Sequence, residues 1–590
     1  MRLHSWRSHP RLIGGFIFVF CVVLYVWGLG TLPFYTKGEP REGTVVWEIY
    51  TAGEWILPLR NGQIIPSKPP LFHWLGTLVS FGYGGMSEFT IRFPSAALAV
   101  LGVLLTYGAG RALWGVEAGL IAALILATSF EWIRAATTAR VDMTLTVCMV
   151  LAFLFFYSLY RRGTASRGAS WLLALLLGFA TLAKGPVGAV LPGLTIVVFL
   201  VLQRDLAFLK RFALLSSAAL FVVVAGAWYG LALWQGGSDF FATQIMKENV
   251  MRFVSSNAAG AGHEHAFYYF LPNLMLGMAP WSFFFPAAAV FLYQRRAAWR
   301  EQQLAYPVIW AATVFLFYSA ASGKRTVYIL PMYPALALLL GVWWQELRRG
   351  AVQLPPALLW LLRGGGALGF LTIAAAALVV LGQVMHYDVL ALIRPLLHPK
   401  DQSNLPFFAD VVARHPLAFV LWFGVVGPAA ILLLSSLRHQ AWGQLFAALI
   451  AFTFSTFLLV NNVFQPLVAE ARTFKPFMLR VSQTVGNAPL FFHHAFDNGA
   501  LYYAQRRIPH YDAALVSPEQ PFFLLVWEDV WQKIAAQNVA NLQAVDTSEG
   551  TGPKGKRRLV LVAAAAGVHI PEIAAQENEN TDGQAEDDAP

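Results

Sequence analysis

The sequence predicts a polytopic α-helical membrane protein. The chain of 590 residues is 57% hydrophobic and only 13% charged, where a soluble protein carries roughly 25% charge. Its mean hydropathy is +0.55. Apolar runs long enough to cross a bilayer recur along it, and basic residues fall in the short connections between them. The 20 Trp, 19 Tyr and 45 Phe suit interfacial belts and packed helices. The net charge of +10 does not point to nucleic acid, because the Arg and Lys act as topology signals instead of forming one binding face. Cys21 and Cys148 both lie inside apolar runs, which argues against a disulfide framework or a cysteine-rich metal site.

The first apolar run, 12–29, follows MRLHSWRSHPR and has no small-residue cleavage motif after it. It therefore reads as an uncleaved first span. Further spans are expected near 89–109, 116–133, 143–160, 170–183, 187–202, 212–234, 276–293, 305–321, 327–346, 365–385, 415–436 and 443–463, about 13 helices in all. Arg2, Arg7, Arg11, Arg161, Arg162, Arg167, Arg204, Lys210, Arg211, Arg295, Arg296, Arg300, Arg348 and Arg349 then share one side, which the positive-inside rule makes cytoplasmic. Loops 31–88, 235–275 and 386–414 fall outside, as does everything after 463.

The first external loop holds Lys37, Glu39, Arg41, Glu42 and Lys68 beside the membrane body. Ionisable groups there are costly to keep and are functional candidates. Glu39 can take a proton from an attacking hydroxyl or hold a metal. Arg41 can grip a phosphate with two nitrogens, and Lys68 adds a second cation. The bland reading of this set is a surface ion-pair cluster. Glu42, Glu48 and Glu54 read as solvated or capping residues. Residues 45–49 and 55–59 read as short interfacial amphipathic pieces, Asn61-Gly62 as a turn, and Pro66, Pro69 and Pro70 as an extended stretch.

Asp142 opens the fourth span, either as a helix-dipole contact or as an acid joining Glu39. Lys184 precedes the helix-breaking Gly185-Pro186, either snorkelling to the interface or serving the site. Lys324, Arg325 and Tyr328 put two cations on the outer side, against the usual loop bias. Arg252 and His265 in loop 235–275, together with Arg325, are candidate substrate-binding residues. His263, Glu264 and His265 also form a weak metal signal without a third ligand nearby. Tyr268 and Tyr269 read as belt aromatics.

After 463 the pattern changes to short apolar runs alternating with helical stretches, which suggests a small α/β domain over 464–570. Its His493, His494 and Asp497 read as ordinary domain residues. The acidic tail, 571–590, reads as disordered.

The motifs GEPRE (38–42), GEWILP (53–58), NG (61–62), SKPPLFHW (67–74), EFTIRFPSAAL (88–98), LAKGPVG (182–188) and SGKRTVYILPMYPALALLLG (322–341) occur in this order. The chain thereby resembles the GT-C membrane glycosyltransferases of the protein O-mannosyltransferase and lipid A aminoarabinose transferase family, over about residues 10–346. The resemblance implies a GT-C fold with residues 1–463 as the catalytic membrane body. It implies transfer of a sugar from a polyprenyl phosphate donor to a lipid or protein acceptor, on the outer face of the inner membrane. It assigns Glu39, with Asp142, to catalysis, and Arg41, Lys68, Lys184, Lys324 and Tyr328 to the donor phosphate. It requires no cofactor and leaves a divalent metal open. Three positions depart from the pattern. Gly38 stands where the family has its first Asp, Glu42 where it has an aromatic, and Ser67 where it has a Glu. The rival classes are a transporter or lipid flippase without covalent chemistry, which internal repeats would favour, and a non-catalytic binding subunit.

Overall fold

The computed structural model describes residues 10–251, 265–300, 303–385, 387, 405–515, 519–539, 541–568 and 570. The acidic tail and loop 386–414 up to residue 404, apart from Tyr387, lie outside the described residues.

Among the described residues, seven helices are long and apolar enough to cross a membrane: Glu88–Trp114, Val141–Arg162, Leu214–Asn249, Thr326–Arg348, Pro356–Val384, Pro416–His439 and Trp442–Arg472. Two bent pairs would raise this to nine: Val116–Ala127 with Phe130–Ala136 at 67°, and Phe270–Gly277 with Trp281–Gln294 at 110°. Pro10–Tyr25, Val187–Leu202 and Ala305–Ala320 are shorter apolar helices. The chain is a multi-pass helical membrane protein. Its large interior is built from aromatic and aliphatic side chains such as Trp132, Trp281, Trp310, Trp343 and Trp344. Glycine lets backbones meet there. A Cβ on Gly110 would lie 2.7 Å from the Gly119 Cα, so Glu88–Trp114 and Val116–Ala127 touch backbone to backbone.

The first external loop is more ordered than its two expected amphipathic pieces. Residues 45–49 sit within a longer helix, Gly38–Ala52, which ends at Gly53 with φ 72°. That left-handed conformation suits a glycine that stops a helix. Residues 55–59 are not helical, which corrects the second piece. The second helix of the loop is Leu71–Tyr83, which begins directly after Pro70. Between the two helices, Arg60 and Ile64 pair across the Asn61-Gly62 turn, where both turn residues have positive φ.

The last apolar helix continues beyond 463 to Arg472. The chain then forms a four-stranded sheet from β1 (Leu490–Phe492), β2 (Phe522–Trp527), β3 (Leu542–Thr547) and β4 (Leu559–Ala564), in the order β1-β2-β4-β3. β1 and β2 are parallel, and the other pairs are antiparallel. Helices Lys475–Val485, Asn498–Ala504 and Glu528–Ala535 accompany the sheet. Asp497 caps Asn498–Ala504 by accepting from the amides of Gly499 and Ala500. This portion packs on the first loop. Tyr503 donates to Glu88 at 2.9 Å, Asn61 bonds Ile508 in both directions at 2.7 Å, and Arg507 pairs with Glu48 at 2.8 Å.

Candidate functional site

The Gly38–Ala52 helix carries the acids, and each has a different environment. Glu39 is 1% exposed and takes a two-pronged grip from Arg92, Nε at 2.7 Å and Nη2 at 3.1 Å. The Ala139 amide also donates to it at 3.1 Å and the Thr36 hydroxyl at 3.4 Å. Arg92 spends its other nitrogen on the carbonyls of Leu29 and Leu32. The pair therefore ties the end of the first apolar run to the helix Glu88–Trp114. Glu48 is also buried, against Arg507.

Glu42 and Glu48 are thus not solvated, contrary to expectation; both face inward because partners from distant elements neutralise them. Glu42 accepts from Arg41 Nη2 at 2.9 Å and lies 2.7 Å from His73 Nε2. Burial opposes its charge, but the Arg41 guanidinium and His73 outweigh that and hold its carboxyl well below the usual range.

A second group converges from four elements. Asp142, at the start of Val141–Arg162, pairs with Lys184, at the end of the helix Arg167–Lys184. The Lys184 ammonium lies 4.1 Å from the Tyr328 ring centroid, a cation–π contact. Gly185 turns the chain with φ 94°, and Gly188 packs against the Ala180 carbonyl so closely that a Cβ would overlap it. The LAKGPVG sequence is what lets the hairpin present Lys184. Arg140, immediately before Asp142, feels Arg134, Arg41 and Arg325 as neighbouring charges. Burial first, then the Arg134 charge, hold it below its usual value, only partly offset by Asp142. A Cβ on Gly38 would sit 3.0 Å from the Arg140 guanidinium. The space of the missing acid is bordered by a cation.

The remaining candidates are more spread out. Lys68 pairs with Glu248 and lines a small cleft with His73, Gln244, Trp228 and Phe240. Lys324 is buried and donates to the Ala321 carbonyl at 2.7 Å. Arg325 is close enough to Asp142 and Arg140 to act on both charges. His265 is exposed and stacks on Tyr269 at 4.0 Å, so Tyr269 has a ring partner besides any belt role. Arg252, His263 and Glu264 lie outside the described residues. Among the described residues no three His, Cys, Asp or Glu side chains group as a metal site.

Sequence reasoning missed Arg92, His73, Glu248 and the weight of Arg140. Arg92 had a legible signal, an ionisable residue within an apolar helix. Glu248 had none, since its partner lies 180 residues away.

Residues 67–229 match the family model described as dolichyl-phosphate-mannose-protein mannosyltransferase. An undecaprenyl phosphate-α-4-amino-4-deoxy-L-arabinose arabinosyl transferase of Shewanella sediminis is 30% identical over 55% of this chain and 58% of its own length. The enzyme of that name from Aeromonas hydrophila is 29% identical, again over 55% and 58%. The crystal structure of ArnT from Cupriavidus metallidurans bound to undecaprenyl phosphate superposes with a TM-score of 0.71, covering 94% of this chain and 99% of that one at 22% identity. The chain is thus similar in sequence to O-mannosyltransferases and aminoarabinose transferases over part of its length, and shares the fold of ArnT. The ArnT likeness extends the shared fold to almost the whole chain. In sequence, the chain spans 58% of the length of the two arabinosyl transferases.

Proposed function

We propose that this GT-C protein transfers a sugar from a polyprenyl phosphate carrier to a lipid or protein acceptor at the outer face of the bacterial inner membrane. The observation that carries the proposal is the meeting of Arg41, Arg140, Arg325, Lys184 and Asp142 in a fold whose solved relative holds undecaprenyl phosphate. Positive charge exceeds negative there, which suits an anionic leaving group. In the reaction, the acceptor oxygen attacks the sugar C1, the C1–O bond to phosphate breaks, and polyprenyl phosphate departs. Arg41, Arg140 and Lys184 stabilise the charge that grows on it. Asp142 and Tyr328 fix the Lys184 ammonium. Lys324 braces the turn that carries Arg325, and Lys68 with Glu248 walls the neighbouring cleft. Glu39, saturated by Arg92, anchors the loop and leaves proton transfer to another group. His265 and Arg252 remain candidate acceptor contacts, and no step is assigned to a metal. The membrane arrangement that goes with this reading has about 13 spans, residues 1–463 as the catalytic body and 464–570 as an extracytoplasmic domain.

Mass spectrometry of envelope lipids and proteins from a deletion strain tests the proposal. The expected result is one envelope component lighter by a sugar residue. An unchanged envelope, with transbilayer lipid movement lost instead, would favour a flippase.

A further inference from the structure

A transfer of this kind needs a proton acceptor near the attacking hydroxyl. The family pattern puts an Asp at position 38, but this chain has Gly38. Glu42 lies one helical turn further along the same helix, on the same face as Gly38. Its carboxylate has Arg41 on one oxygen and His73 on the other. A carboxylate only accepts hydrogen bonds, so the ring nitrogen facing it, Nε2, carries the proton. His73 Nδ1 then keeps a free lone pair. That atom is buried and has no hydrogen-bond partner, on a side chain 1% exposed. A buried ring nitrogen left unpaired is costly unless something pairs with it. The same ring forms part of the cleft wall with Lys68, Gln244 and Trp228.

We infer that His73 is the proton acceptor of the transfer, with Glu42 as the residue that fixes its tautomer and steadies the imidazolium. The inference rests on the transfer reading above. The acceptor O–H bond breaks, its proton goes to His73 Nδ1, its oxygen bonds to C1 of the sugar, and the C1–O electron pair leaves with the polyprenyl phosphate. Glu42, Arg41, Lys68 and Glu248 are the charged groups around this end of the site. The arrangement repeats the logic of a carboxylate orienting a histidine base, with the acid moved one turn from the position that faces Arg140.

The test uses the full-length protein in liposomes, with undecaprenyl phosphate carrying pentoses or hexoses as donor and extracted envelope lipid and protein as acceptor. His73→Gln is expected to lower kcat about 100-fold or more, the scale of general-base catalysis, with donor KM within twofold. The acidic limb of kcat against pH flattens in H73Q. E42Q is expected to lower kcat about tenfold or more, with donor KM within twofold, because nothing then fixes the tautomer that leaves Nδ1 free. An H73Q kcat within threefold of wild type overturns the inference. If H73Q does not fold, an E42Q kcat within threefold of wild type overturns it equally. If the wild-type protein itself forms no glycosidic bond, the transfer reading falls and the dyad falls with it. If wild type turns over and H73Q matches it, only the dyad falls.

Discussion

Glu39 and Glu42 lie within one turn of the same helix, both buried, yet their surroundings are opposite in kind. Glu39 is saturated by Arg92, a backbone amide and a hydroxyl, all of this chain. Around Glu42 the network ends in an unpaired atom, His73 Nδ1, and one turn back Gly38 leaves room beside Arg140. Burial and charge alone do not separate a structural acid from a chemical one. What separates them is whether the hydrogen-bonding capacity around the acid is already used up by the fold.

The largest expected effect breaks the saturated side. Arg92→Ala strands Glu39 in the interior, and removing one partner of a buried pair costs about 3–5 kcal/mol. Thermal unfolding in detergent should show a large loss, with little folded protein recovered. A mild effect would mean that water reaches Glu39 and that the two acids are less different than described.

Lys184→Ala comes next. It should leave the protein folded, because Arg140 and Arg325 still act on the Asp142 charge, and reduce turnover about 100-fold or more, the scale seen on losing one donor to a developing negative charge. Arg140→Gln removes one charge-assisted contact, worth roughly 1.5–3 kcal/mol. It should raise donor KM by about tenfold or more, read by steady-state kinetics over a range of donor concentrations. Unchanged KM would remove Arg140 from the phosphate site.

The smallest effect sharpens the open side. Gly38→Asp puts a carboxylate against Arg140, where it competes with the donor phosphate. Donor KM should rise severalfold without any gain in kcat. A gain in kcat would mean that position 38 remains the better seat for the base.

Much of this was legible in sequence because charge in an apolar chain is conspicuous. Arg41, Asp142, Lys184 and Tyr328 stand out from local pattern, and Lys184 touches both Asp142 and Tyr328. The Asn61-Gly62 turn and the strands after 463 followed from turn chemistry and short apolar runs. Pairings between distant elements were not legible. Nothing local to Glu48 announces Arg507, 459 residues away, so Glu48 read as solvated. Nothing local to Glu39 says that Arg92 will consume it. The helix Leu71–Tyr83 is not legible because the prolines before it point to an extended path, whereas Pro70 stands at its N-cap.

The central claim is that this site forms a glycosidic bond. Purified wild-type protein, given an undecaprenyl-phosphate-linked sugar with a radioactive label and extracted envelope acceptors, tests it most directly. The account predicts label covalently attached to an acceptor, with free undecaprenyl phosphate released in equal amount. Label that stays on the carrier, even if the carrier crosses the bilayer, would contradict it.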